Sequence, residues 1–221
     1  MFPINYTAHN WRIRKICNDN VTQNAHLFKG VLYDLGCGTK PYHDFIAPRV
    51  AQYIGVDWGN TIHTQTMDVV ADLNKPLAIA DAVADTVVCF QTLEHLCEPQ
   101  QLLNEAFRIM KPDAQILLTV PFFWSLHEEP HDYFRYTQYG LKYMFEKAGF
   151  RDVQVKADTG FWTTHSLRIN YQTVRYQARL GSWVNYLFMP FWYLNQTFAP
   201  FLDKIDTNMR DTSSYCVVAR K

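Results

Sequence analysis

The sequence has no excess of charge of either sign, and this disfavours a nucleic-acid partner. Its 21 basic and 21 acidic residues give a formal net charge of zero over 221 residues. A protein that follows a nucleic-acid backbone needs a basic face, so the composition predicts no nucleic-acid partner. Cysteine pairs are missing as well, since the five cysteines are odd in number and form no Cys-x-x-Cys motif. Neither a disulfide framework nor a zinc site is therefore expected.

Further absences concern location and domain organisation. The first residues, Met-Phe-Pro-Ile-Asn-Tyr-Thr, lack the basic and apolar regions of a signal peptide, which favours a cytoplasmic protein. The chain shows no internal repeat and no low-complexity linker. Because 48% of its 221 residues are apolar, enough for a sizeable core, we predict a single domain over residues 1–221.

Short apolar runs alternate with helical patterns along most of the chain. This alternation predicts an α/β fold in which helices cover both faces of a parallel sheet. Ligands of such sheets lie outside the carboxyl ends of the strands. Helices are expected over about 9–28, after Pro99, and between Thr137 and Gly149. The predicted strands are Val31–Leu35, Tyr53–Asp57, Thr66–Ala71, Ala84–Phe90, Gln115–Val120, Val153–Val155 and Ser214–Arg220.

A glycine turn follows the first predicted strand. Gly36 and Gly38 have no side chains, so a ligand can approach the backbone closely at this strand end. A dinucleotide fingerprint is one interpretation, with Asp57 about twenty residues further on to bind a ribose. That fingerprint requires a third glycine where Pro41 stands, so a nicotinamide cofactor is disfavoured.

Five segments together form a family pattern. They are Asp34–Thr39 (Asp-Leu-Gly-Cys-Gly-Thr), Val56-Asp57, Ala71–Leu73, Phe90–His95 and Gly140–Phe150. The pattern resembles the class I S-adenosylmethionine-dependent methyltransferases of the small, single-domain kind, over roughly residues 28–158 and the final strand. The resemblance implies a Rossmann-like three-layer sandwich whose seven-stranded, mostly parallel sheet has an antiparallel last strand. One departure is Lys40-Pro41, where the family more often has glycine.

The resemblance also implies S-adenosylmethionine as cofactor. Its methionine part would lie on the glycine turn, its adenine after the third strand and its sulfonium after the fourth. Asp57 would accept hydrogen bonds from both ribose hydroxyls, which an ionised carboxylate does well. Asp34 could instead bond local backbone donors, and Asp72 could instead cap the next turn. The predicted cofactor-binding residues are Asp34, Gly36, Cys37, Gly38, Asp57, Asp72, Leu73, Phe90 and Gln91.

The loop Pro130–Thr137, after the fifth predicted strand, holds candidates for catalysis. His131 could act as a general base oriented by Asp132, and Arg135 could bind an anionic substrate group. The alternative is an internal salt bridge between Asp132 and Arg135, with the tyrosines covering the cofactor. The loop resembles one in bacterial methyltransferases associated with envelope glycan or lipid modification, which favours an acceptor of that kind.

Glu94 and His95, after the fourth predicted strand, are a second candidate pair. Some quinone-type O-methyltransferases of the family hold a divalent metal here with two glutamates and a histidine. Gln91 stands where the first glutamate would be, and a missing carboxylate disfavours a hard cation, so we predict no metal. His95 is kept as a catalytic candidate. Bracing of the following helix is the alternative for both residues.

An uncharged aromatic segment lies within an insertion at about 159–212. Residues 180–202 contain no charge, and their number reaches that of a membrane span. Pro190 and Pro200 interrupt the segment, and a crossing would leave the last strand on the wrong side, so no span is predicted. Residues 183–201 could form a lid, a homodimer surface or a patch resting on a membrane. We favour the lid.

The sequence therefore predicts methyl transfer to a small molecule or a lipid- or glycan-linked metabolite, at an oxygen atom. Holding donor and acceptor together supplies much of the catalysis in such a displacement, and a base is needed only for a weakly acidic acceptor. The alternative is a catalytically silent module that binds the cofactor, or a partner through the aromatic insertion. We predict a cytoplasmic location, with membrane association if the insertion rests on a bilayer.

Overall fold

A seven-stranded sheet runs through the computed structural model of the chain, which describes residues 1–59 and 66–221. The strands are β1 (Val31–Leu35), β2 (Gln52–Asp57), β3 (Val69–Val70), β4 (Ala84–Phe90), β5 (Met110–Pro121), β6 (Arg151–Ala157) and β7 (Ser214–Arg220). They lie in the order β3-β2-β1-β4-β5-β7-β6, and β7 runs antiparallel to both of its neighbours. The predicted mostly parallel sheet with an antiparallel last strand is confirmed.

Helices cover both faces of the sheet, which makes the predicted three-layer sandwich. They are α1 (Trp11–Gln23), α2 (His43–Ile46), α3 (Pro99–Ile109), α4 (Gln138–Ala148), α5 (Phe161–Val174), α6 (Gln177–Leu180) and α7 (Val184–Ile205). Buried apolar side chains form one cluster with α3 and α4 and another with α1 and α2. Val87 and Val88 of β4 enter opposite clusters, as expected of a strand buried on both faces.

Local chemistry sets the ends of α4. The Thr137 side-chain oxygen accepts a hydrogen bond from the Gly140 backbone N–H at 3.1 Å and caps the first turn. Gly149 follows the last turn with a φ of 105°, a backbone conformation that glycine adopts without strain. Both predicted boundaries are confirmed.

β5 begins earlier than predicted. Its predicted start is Gln115, but α3 ends at Ile109 and Met110 already pairs with Ala84 of β4. The register between β4 and β5 then shifts, as at a bulge, and this irregularity accommodates Pro112. β3 is shorter than predicted, since only two residues pair with β2.

The insertion before β7 consists of α5, α6 and α7, and α7 contains Pro190 and Pro200. The Asn195 amide of α7 donates to the Ser166 carbonyl of α5 at 3.2 Å, so the two long helices are hydrogen-bonded to each other. In the part of the chain that the structure describes, no helix is both long and apolar enough to cross a membrane. A single domain over residues 1–221 stays a prediction.

Candidate active site

A cleft of about 720 Å³ lies at the carboxyl ends of β1, β2 and β4. β1 has β2 on one side and β4 on the other, so this is the point where the strand order reverses. All nine predicted cofactor-binding residues line the cleft, together with His95 and His131. Asp132 and Arg135 lie outside its lining. Lining residues that were not among the predicted site residues include Phe2, Thr39, Trp58, Asn74, Thr92, Leu96 and Glu128–Pro130.

The two glycines of the turn have different surroundings. Gly36 has a φ of 80°, and a Cβ added there would collide with the side chain of Thr92. Gly38 has a φ of 49°, and an added Cβ would meet no described atom within 4 Å. Gly36 is therefore needed for packing against the loop after β4, whereas Gly38 leaves the cleft open for a ligand.

Asp57 ends β2, and the backbone holds its carboxylate in place. One oxygen accepts from the Gly38 N–H at 2.7 Å, and the other accepts from the Trp58 N–H at 2.8 Å. A carboxylate offers about four lone-pair positions, so these two bonds leave acceptor capacity for a ligand. The arrangement gives a diol a fixed anionic acceptor at the cleft wall.

Asp34 lies buried beside the turn, and within the described residues only one of its two carboxylate oxygens accepts a hydrogen bond. The Tyr53 hydroxyl donates to one carboxylate oxygen, while the other has no hydrogen-bond partner among residues 1–59 and 66–221. Burial raises the pKa of Asp34 to about 7. An orphaned acceptor in the cleft wall fits a ligand that brings a donor, such as an amino group. Tyr53 was missed because nothing in the sequence pairs it with Asp34.

The rim of the cleft carries Asp72 and Gln91. Asp72 accepts from the backbone and the side-chain amide of Asn74, both at 3.0 Å, which is the turn cap left open as an alternative. It lines the cleft nevertheless. Gln91 follows β4 with a φ of 51°, and backbone strain of this kind is concentrated at functional sites.

Asp132 and Arg135 form an internal ion pair. The two terminal guanidinium nitrogens donate to the two carboxylate oxygens at 2.6 and 2.7 Å. The Asp132 carboxylate also accepts from the His127 backbone N–H at 3.0 Å, so it holds His127 and not His131. Asp132 and Arg135 thus form the internal salt bridge that was the alternative interpretation, and they lie outside the cleft. Hydrogen bonding from Arg135 lowers the pKa of Asp132 to about 2.

The Asp132→Asn variant should therefore lose about 2 kcal/mol of unfolding free energy at pH 7. Because the folded-state pKa lies below the ordinary value of about 3.9, this stabilisation is complete above that value and disappears as the pH falls towards about 2. Urea unfolding at a series of pH values measures the difference. Asp44→Asn, at an exposed carboxylate of α2, is the matched control. A penalty that stayed constant with pH would contradict this account of Asp132.

His131 faces the cleft. Its Nδ1 lies 3.1 Å from the Tyr133 hydroxyl, and its ring contacts Trp58 edge-on with centroids 5.1 Å apart. Its Nε2 makes no hydrogen bond with residues 1–59 or 66–221, so that nitrogen is available to a ligand. Its backbone carbonyl faces Nδ1 of His95 and links the two histidines.

Glu94, His95 and His127 converge next to the cleft. Glu94 is fully buried, and neither carboxylate oxygen has a hydrogen-bond partner in the described part of the chain. One oxygen lies 3.6 Å from Nε2 of His95 and 3.9 Å from Nε2 of His127. Both Nδ1 atoms face backbone carbonyls, of His131 and Ser125, so each neutral ring presents Nε2 as an acceptor.

These three side chains could hold a cation or share a proton, since their ligand atoms lie within 4.8 Å of one another. Burial raises the pKa of Glu94 to about 8 and lowers that of His127, which favours a neutral carboxyl group. The proximity of His127 to Glu94 was not predicted from the sequence. The only feature that pointed to a role for His127 was its position after a predicted strand. The absence of a metal stays a prediction.

Part of the chain is similar in sequence to known proteins. Residues 33–118 match the family model described as a methyltransferase domain. The chain is 31% identical to a probable S-adenosylmethionine-dependent methyltransferase of Mycolicibacterium smegmatis over 94 residues, which is 40% of this chain and 37% of that protein. It is 26% identical to a ubiquinone biosynthesis O-methyltransferase of Pseudomonas fluorescens over 124 residues, which is 51% of each.

A solved structure is similar over nearly the whole chain. An S-adenosylmethionine-dependent methyltransferase from Archaeoglobus fulgidus matches with a TM-score of 0.62 and 18% identity, covering 95% of this chain and 94% of that one. This likeness shows the fold. The present chain spans about half or less of the length of the two curated relatives.

Proposed function

We propose that this chain, which carries a class I S-adenosylmethionine-dependent methyltransferase domain, methylates an oxygen atom of a small molecule or of a lipid- or glycan-linked metabolite. The observation that carries the proposal is the cleft, in which the nine predicted cofactor residues and two histidines meet. The cofactor supplies an electrophilic methyl group. The chain's own residues bind it, orient it and prepare the acceptor.

The residues of the cleft fit the cofactor in chemistry. Asp57 offers a fixed carboxylate to a ribose diol, and the unpaired oxygen of Asp34 fits the amino group of the methionine part. Gly38 leaves room for the ligand at the turn. The acceptor would then approach from the side of Glu128–His131, which lines the same cleft.

Oxygen as the methylated atom is supported by His131 and by one relative. A hydroxyl acceptor must lose its proton as the methyl group transfers, and Nε2 of His131 can take that proton in the tautomer whose Nδ1–H donates to the Tyr133 hydroxyl. The similar protein from Pseudomonas fluorescens is named an O-methyltransferase. We extend that chemistry to this chain as part of the proposal.

Methyl transfer from labelled S-adenosylmethionine to a panel of acceptors tests the proposal. The panel should contain phenols, sugars, amines and lipid-linked glycans, and carbon-13 in the methyl group identifies the methylated atom. We expect label on a hydroxyl oxygen. Label found only on nitrogen or carbon would overturn the proposed atom. Binding of the cofactor without any transfer across the panel would favour the catalytically silent module.

Substitution of the two turn glycines by alanine should separate folding from binding. Each variant places a side chain at positive φ, which costs about 1 kcal/mol of unfolding free energy. Only Gly36→Ala also collides with Thr92. Gly36→Ala should therefore lose at least about 2 kcal/mol more unfolding free energy than Gly38→Ala. Gly38→Ala should fold and bind S-adenosylhomocysteine more weakly. Urea unfolding and calorimetry measure the two effects, and equal stability of both variants would argue against the packing role of Gly36.

A further inference from the structure

An uncovered apolar face lies on the longest helix of the insertion. Trp192, Gln196 and Ala199 of α7 are buried against the protein. The side chains on the opposite side recur at alternating spacings of four and three residues and are 42% to 69% exposed. Apolar surface of this extent marks a contact with a partner or a membrane. The members of this α7 face are Leu187, Phe191, Leu194, Phe198, Phe201 and Ile205.

Polar contacts on the buried side fix the orientation of the helix. The Gln196 side chain accepts from the Arg12 backbone N–H at 3.0 Å and donates to the Ala8 carbonyl at 3.1 Å. The Trp192 indole N–H donates to the Thr173 hydroxyl at 2.8 Å. Rotating α7 to bury its apolar face would break all of these bonds. The α7 face therefore points outward in the folded protein.

A row of amphipathic side chains borders the α7 face on one side. Tyr186, Tyr193, Thr197 and Lys204 follow one another at spacings of seven, four and seven residues, and so lie along one line of the helix. The two tyrosines are 71% and 47% exposed. Tyrosine and lysine, with apolar stems and polar tips, are suited to the boundary between a bilayer and water. This pattern is typical of a helix that lies in the plane of a membrane surface.

The insertion up to Leu202 also carries charge of one sign. Residues 159–202 contain no acidic side chain, but they include Arg168, Arg175 and Arg179. The exposed Arg175 precedes α6 and the exposed Arg179 lies in it, and α6 is hydrogen-bonded to α7 near the first turn of α7. In a chain of zero net charge this local excess is complementary to anionic lipid headgroups.

The acidic residues at the far end of α7 are engaged by the protein. Asp203 accepts from the backbone N–H groups of Trp162 and Thr163, at 2.8 and 3.2 Å. Asp206 accepts from the Trp162 indole at 3.2 Å. Both carboxylates are therefore held by contacts within the protein.

The insertion adjoins the loop that borders the cleft. The Arg168 guanidinium lies over the Phe123 ring at 4.4 Å, and Tyr171 contacts Trp124 with ring centroids 5.0 Å apart. Phe123 and Trp124 begin the loop that continues to Glu128–His131 in the cleft wall. A surface that binds the insertion would therefore also lie close to this loop.

We propose that the α7 face docks on a membrane that contains anionic lipids, with Arg175 and Arg179 among the headgroups. The helix lies in the interfacial plane and does not cross the bilayer. A second copy of the chain is the competing occupant, and the one-signed charge beside the face disfavours it because two copies would bring like charges together. Docking uses none of the cleft residues, so it stands independently of the proposed methyl transfer.

Flotation with lipid vesicles tests this docking. The full chain should float with vesicles of phosphatidylcholine and phosphatidylglycerol and remain behind with pure phosphatidylcholine. The double variant L194E/F198E should lose flotation but keep its unfolding temperature, because both side chains are exposed. Tyr143→Glu is the matched control, since it replaces an exposed aromatic residue on α4 and should leave flotation unchanged.

The charge contribution has its own variants. R175S/R179S should lower the partition onto anionic vesicles about thirtyfold, since each basic group near such a surface contributes about 1 kcal/mol. K142S/K147S on α4 removes two exposed lysines and should change nothing. Equal flotation with both kinds of vesicle, or none with either, would overturn the proposal. A dimer in light scattering that L194E/F198E converts to a monomer would assign the α7 face to a second copy instead.

Discussion

Replacing Asp57 with alanine is expected to weaken the binding of S-adenosylhomocysteine about 100-fold. Two hydrogen bonds from a ribose diol to a charged acceptor contribute about 1.5 kcal/mol each or more. The variant removes both and also frees the Gly38 N–H, which now donates to Asp57 at 2.7 Å. Both effects act on the cofactor side of the cleft. Titration calorimetry measures the dissociation constant directly.

Two further variants separate the ribose contact from the shape of the turn. Asp57→Asn keeps a side-chain oxygen for one backbone donor but loses the charge, so we expect an affinity between those of wild type and Asp57→Ala. Asp44→Ala, at an exposed carboxylate on the nearby helix α2, should bind like the wild type. Unchanged affinity of Asp57→Ala would remove Asp57 from the binding site.

The His131→Ala variant should lose turnover by a factor of about 10² to 10⁴, the usual contribution of a positioned general base. The expectation applies to a hydroxyl acceptor identified in the labelled-methyl screen. His131 lies in the cleft wall, whereas the proposed cofactor contacts come from the turn and from Asp57. The dissociation constant of S-adenosylhomocysteine should therefore stay within a few-fold of the wild-type value. Steady-state kinetics and calorimetry give the two numbers.

His26→Ala is the matched control for that experiment, because His26 is an exposed histidine outside the cleft lining. His95→Ala extends it, since Nδ1 of His95 faces the His131 carbonyl and the variant would loosen the loop. Full turnover in His131→Ala would discard the base assignment. Equal losses of turnover and of cofactor affinity would instead make His131 part of the binding surface.

Much of the fold could be predicted because local chemistry and burial agree. β1 and β4 have the predicted bounds, since both are apolar runs buried among other strands. Thr137 and Gly149 set the ends of α4 through contacts close in sequence. β5 could not be placed in the same way. Its early start depends on pairing between Met110 and Ala84, which are neighbours only in the folded sheet.

Some features of the candidate site could be predicted and others could not, for the same reason. That the proposed cofactor residues share one cleft could be predicted because parallel strand ends meet at one edge, whichever side chains they carry. The acceptor side depends on loop conformation, and an arginine beside an aspartate suits a substrate and a salt bridge equally well. Phe2 reaches the cleft through contacts with distant residues, since Asn18 of α1 binds its backbone and its ring packs edge-on against Tyr42. No local pattern announces such a contact.

The most direct test of the central claim is a thermal unfolding measurement with two ligands. At a concentration 100 times the dissociation constant, a ligand of the folded state adds about 2.7 kcal/mol of stability. We predict that S-adenosylhomocysteine raises the Tm by several degrees and that NAD leaves it unchanged. A Tm raised by NAD and unaffected by S-adenosylhomocysteine would contradict the account.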